Sequence, residues 1–157
     1  MQFGEQGIAD PAAMHELGMR VAQELRAGDL LVLTGPLGAG KTTFTRGLGE
    51  GLNVRGSVTS PTFVLARTHP SLVDGPALVH VDAYRLTDPV ELDDLDIDYA
   101  HSIVVVEWGR GMVDGVSDSW LDIEIVRPEG AAIDESDDDL VEERLVRIQP
   151  HGQRWEN

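Results

Sequence analysis

The segment 30-LLVLT-34 running directly into 35-GPLGAGKTT-43 constrains this chain more than any other stretch. A short, continuous apolar run reads as a strand buried on both faces. The glycine loop follows at once, and 44-FTRGLGEGL-52 then continues as a helix despite its glycines. Strand, glycine loop and helix in that order predict an α/β fold, with the loop at the carboxyl end of a central strand.

The loop matches G-x-x-x-x-G-K-[ST] at Gly35, Gly40, Lys41 and Thr42. Glycines at 35, 38 and 40 permit backbone angles and close approach that a side chain would block. The amides of Leu37, Gly38, Ala39, Gly40, Lys41, Thr42 and Thr43, with the positive end of the helix, are expected to line a nucleotide's phosphates. Lys41 is the sole lysine in the chain; every other strong base is arginine. An ammonium is a compact charge that reaches between phosphate oxygens, whereas a guanidinium is a wide fork. Lys41 is therefore expected to hold the β- and γ-phosphates, and the Thr42 hydroxyl to ligate Mg²⁺. The implied fold is P-loop NTPase-like: a mostly parallel central sheet flanked by helices, with antiparallel strands added.

A metal beside such a loop needs an acid, and ligands of open α/β sheets collect at the carboxyl ends of strands. Two acids qualify. In 103-IVVVEW-108 a continuous apolar run stops at Glu107, and in 78-LVHVDAYR-85 a shorter one stops at Asp82. Elsewhere, residues 1–8 suit a short edge strand. Asp10-Pro11 caps a helix that carries Met14, Leu17, Val21 and Leu25 on one face and ends at Gly28. Residues 57–69 read as a loop entering a strand, 70–76 as a hairpin loop, and 88–99 as a helix begun by Asp88-Pro89 and then a turn. Alternation in 120-WLDIEIV-126 and 144-RLVRIQP-150 predicts two late strands around an acidic, solvated loop. His15, His69, His101 and His151 stand isolated and are expected to be structural or at the surface.

Composition narrows the partners. With 12 Lys plus Arg against 28 Asp plus Glu, the net charge of −16 opposes direct nucleic-acid binding; it suits a basic protein partner or simply keeps the chain in solution. Cysteine is absent, which removes disulfides, thiolate nucleophiles and cysteine-ligated zinc. No apolar run reaches membrane-spanning length, and no secretory signal is legible at residues 1–11. The expectation is a cytoplasmic protein with one domain over residues 1–157 and no membrane association.

The order GPLGAGKTTFTRG, VTSPTF, HVDAYRL and VVVEWG resembles the TsaE (YjeE) family, the small P-loop ATPases of bacterial tRNA threonylcarbamoyladenosine biosynthesis. The phosphate loop is common to many families. The SPTF, H-x-D-x-YR and EW elements are more specific, and together they cover about residues 10–110. The resemblance implies an ATP- and Mg²⁺-dependent hydrolase, weak alone and stimulated by its partners, the TsaD and TsaB proteins. TsaD and TsaB carry out the threonylcarbamoyl transfer, so contact with tRNA is only indirect. It also implies that Glu107 is the metal-side acid, that Asp82 is needed for hydrolysis and that Trp108 lies near the nucleotide. Ser60-Pro61-Thr62 resembles a switch loop facing the γ-phosphate. Pro36 departs from the family, which commonly has an acid there; nucleotide binding is expected to survive with altered affinity. The acidic loop at 134–143 is longer than the family needs.

Other classes stay open on the residues alone. A GTPase is excluded, since N-K-x-D cannot occur in a chain with one lysine. A small-molecule kinase would show clustered lid arginines, whereas Arg110 and Arg127 are scattered. A nucleotide-switched adaptor without catalysis would carry the same loop. Oligomeric state is not legible.

Overall fold

The computed structural model describes residues 3–35, 40–54, 66–83, 95, 97–108, 113, 117–126 and 144–155. Among them, strand β1 (Gly4–Ile8) leads to helix α1 (Pro11–Ala22), strand β2 (Leu30–Thr34) and helix α2 (Lys41–Leu52). Strands β3 (Ala66–His69), β4 (Ala77–Asp82), β5 (Ser102–Glu107), β6 (Trp120–Val126) and β7 (Arg144–His151) follow. They form one seven-stranded sheet in the order β1-β7-β6-β2-β5-β4-β3. The central pairings, β2 with β5 and β6 and β5 with β4, are parallel. The outer ones, β1 with β7, β6 with β7 and β3 with β4, are antiparallel. The expected parallel core with antiparallel additions is therefore present, and β1 is the edge strand read at the N-terminus.

Alternation along the strands divides the core in two. Leu31, Leu33, Leu78, Ile103 and Val105 face α1 and α2, where they meet Met14, Leu17, Val21, Phe44 and Leu48. Leu30, Val32, Val79, Val81, Val104 and Val106 face the other way, covered by Val113 with Leu95, Ile97 and Tyr99. Both described helices thus lie on one face.

Helix α1 starts as the sequence indicates: the Ala13 amide donates to Asp10 Oδ1 at 2.8 Å, with Pro11 in the first turn. Its end differs. The helix stops at Ala22, not at Gly28, and the Glu24 and Leu25 amides close short turns onto Val21 and Ala22. Asp29 draws the chain out of the helical path. Its Oδ2 accepts from the Arg26 amide at 2.8 Å, and its two oxygens take the Arg154 guanidinium at 2.9 and 3.2 Å. This bridge ties the turn at Gln153–Trp155 to the start of β2.

Glycines in α2, which weaken an isolated helix, permit its contact with α1. A Cβ on Gly47 would stand 2.1 Å from the His15 carbonyl oxygen, and one on Gly18 would stand 2.2 Å from that of Phe44. The two backbones are in direct contact, a geometry open only to residues without side chains. That contact fixes the axis of α2 and therefore the position of its first residue, Lys41.

Candidate functional site around Lys41

Gly40 precedes α2 with φ +114°, a conformation that favours glycine, and no side chain hydrogen-bonds this helix start. The first-turn amides of α2, at Lys41, Thr42 and Thr43, have no intrahelical acceptor and leave the helix's positive end open to an anion. Thr42 and Thr43 are half-buried. Leu37, Gly38 and Ala39 lie outside the described residues, as do Pro36, the Ser60-Pro61-Thr62 stretch, most of the 88–99 segment, Arg110, Arg127 and the acidic loop.

Lys41 itself is 7% exposed, which is rare for a lysine. Its ammonium donates to the Gly35 carbonyl at 2.6 Å and lies 4.0 Å from the centre of the Trp108 ring. Burial pulls its pKa below the usual lysine value, while the carboxylates of Glu107 and then Asp82 act in the opposite direction. Both of these described carboxylates stand at strand ends. In the parallel register Leu33 is beside Glu107, and Glu107 is beside Asp82. Three strand termini and one helix start thus converge, as the motif order implies.

Glu107 is not a solvated acid at a strand tip. It is 4% exposed, and its Oε2 accepts a 2.6 Å hydrogen bond from His80 Nε2, with His80 fully enclosed. Asp82 is half-buried. Sequence reasoning gave His80 no role, although it stands two residues before Asp82 on the same face of β4. Period-two alternation from Asp82 was the signal that would have placed it beside the site. Trp108 adds a second feature that the sequence hides: φ +61°, left-handed backbone that a bulky residue seldom adopts. Its amide still donates to the Leu33 carbonyl at 3.0 Å, so the chain turns at the strand end while keeping the ladder. Strained residues of this kind cost about 1–3 kcal/mol and cluster at ligand sites.

The donor set suits a hard cation that completes its shell elsewhere. Among the described residues no group of three or more His, Asp or Glu side chains would hold a metal alone. A buried carboxylate and the Thr42 hydroxyl fit Mg²⁺, which takes one or two protein oxygens together with phosphate and water. The four other histidines are placed as expected. His15 pairs with Glu50, His101 with Asp98, His151 stacks on Trp120, and His69 is buried in β3. No described helix is long and apolar enough to cross a membrane.

The family described as "Threonylcarbamoyl adenosine biosynthesis protein TsaE" matches residues 8–133. A relative of that name from Streptomyces coelicolor is 56% identical over 145 residues, which cover 90% of this chain and 93% of the relative. One from Bacillus subtilis is 38% identical over 122 residues, 75% of this chain and 74% of that one. The crystal structure of YdiB from Bacillus subtilis superposes with a TM-score of 0.71 at 30% identity, covering 97% of this chain and 88% of that one. The strand–loop–helix site, the two acids at neighbouring strand ends and these matches have one reading: the chain belongs to the TsaE family.

Proposed function

We propose that this chain binds ATP with Mg²⁺, hydrolyses it slowly alone and faster with partners, and thereby supports threonylcarbamoyladenosine formation on tRNA by a TsaB–TsaD assembly. The observation that carries the reading is the buried Lys41 ammonium at the start of α2, set among Gly35, Trp108, Glu107 and Asp82. A desolvated cation at an uncapped helix start is a site for phosphate, not a packing residue. Lys41 and the amides of residues 37–43 hold the phosphates from Gly35 onward, and Trp108 borders the nucleotide. Thr42 and Glu107 hold the Mg²⁺, which supplies charge neutralisation on the β- and γ-phosphates. Asp82 faces the same site from β4 and supports hydrolysis.

The partners follow from the family and from charge. The names of the relatives place them in threonylcarbamoyladenosine biosynthesis. At −16 this chain is poorly suited to grip tRNA itself, which supports action through a protein assembly; the resemblance to the TsaE family implies that this assembly is TsaD with TsaB. Reconstituted modification of tRNA by a TsaB–TsaD pair provides the test. Adding this chain with ATP should convert a limited yield into many turnovers, and Lys41→Ala should not. Equal stimulation by both proteins would sink the ATPase reading in favour of a nucleotide-independent adaptor.

A further inference from the structure

We infer that His80 is a positioning residue for the metal side of this site: it fixes the orientation of the Glu107 carboxylate. The inference rests on the Mg-nucleotide reading above and assigns it a residue beyond the phosphate loop and the strand-end acids.

His80 occupies a position in β4 whose neighbours Leu78, Val79 and Val81 are apolar and buried. An imidazole and a carboxylate enclosed together cost desolvation that an apolar pair of similar volume would avoid. Packing alone therefore does not account for the pair. Because a carboxylate accepts, Nε2 carries the proton, and Oε2 of Glu107 is committed to it at 2.6 Å. Nδ1 is buried and has no hydrogen-bond partner among the described residues, so the ring's directed contact is the one to Glu107. Among the described residues no hydrogen bond engages Oε1, the oxygen that can serve a cation or its water.

The short bond to His80, on the diagonal neighbour position across β4 and β5, restricts rotation of the Glu107 carboxylate at the end of β5. Partners of this kind around metal-binding groups are typically worth about 10–100-fold in metal affinity.

The test uses Mn²⁺ in place of Mg²⁺, with free Mn²⁺ read by electron paramagnetic resonance in the presence of saturating ADP. His80→Leu removes the donor; His80→Gln returns an N–H near the same place. We expect His80→Leu to raise the Mn²⁺ dissociation constant of the ADP complex at least about tenfold and His80→Gln to recover most of it. ADP affinity in EDTA should be unchanged in both. A folded His80→Leu protein with wild-type Mn²⁺ affinity overturns the inference, and so does an equal loss of metal-free ADP affinity, which would mean general damage. Should the leucine variant not fold, the wild-type protein still decides. In ¹⁵N-labelled protein the His80 Nε2 resonance should move when Mg²⁺ is added to the ADP complex, and an unmoved resonance refutes the role. Wild-type protein whose ADP complex takes up no Mn²⁺ would refute the Mg-nucleotide reading itself, a result separate from any behaviour of the variants.

Discussion

Replacing Gly47 by alanine opposes two effects of known sign. Alanine is the better helix former by about 1 kcal/mol, so an isolated α2 would gain. In the folded protein the new Cβ would stand 2.1 Å from the His15 carbonyl oxygen, where real contacts stay beyond 3.0 Å, so the helices must part by roughly an ångström. Parting them loosens Phe44 and Leu48 from Met14, Leu17 and Val21. The obstacle is backbone, which cannot rotate away, so the upper part of the 1–3 kcal/mol range for overpacking applies, about 3 kcal/mol. After the helix gain, the net loss is about 2 kcal/mol, a fall in melting temperature of roughly 4–8 °C for a domain of this size. The same displacement moves Lys41, so ADP affinity should fall together with stability. Urea denaturation and calorimetric ADP titration of the variant measure both. A variant as stable as the wild type or more so would show that helix propensity outweighs the contact, and the account of how α2 is held would be wrong.

Glu107→Gln keeps shape and an acceptor for His80 but removes the charge; metal-dependent ADP affinity should fall at least about tenfold, with metal-free affinity preserved or improved. Equal metal dependence in the variant and wild type would remove Glu107 from the metal site. Asp29→Ala removes the carboxylate from Arg154, which keeps its bond to the Glu24 carbonyl, and uncaps the Arg26 amide. It should cost about 2–3 kcal/mol in urea denaturation, below the range for a fully enclosed pair because the Arg154 side chain keeps 23% exposure. Nucleotide binding should change little, and a stability loss under 0.5 kcal/mol (roughly that of a surface pair) would mean the bridge is ornamental.

The strands and the step from β2 to the start of α2 were legible because their signals are local. Apolar runs at 30–34 and 103–107, and the cap at Asp10, each fix an element with little tertiary help. The end of α1 was not, because Asp29 leaves the helical path to meet Arg154, 125 residues away. The glycines of α2 read as weakness in sequence and become contact surface only against α1. At the site, motif spacing brought forward Lys41, Glu107 and Asp82, since each ends or begins an element. The His80–Glu107 bond joins residues 27 apart on neighbouring strands; period two puts His80 on the face of Asp82, but only the sheet register brings it to Glu107. The left-handed Trp108 is likewise set by the tertiary turn at the end of β5.

Phosphate release from Mg-ATP, measured for this chain alone and with a TsaB–TsaD pair, bears most directly on the Lys41 site as a partner-gated ATPase. The expected result is a slow rate alone, a higher rate with the pair, and neither in Lys41→Ala. Release that is unchanged by the pair, or that persists in Lys41→Ala, would contradict it.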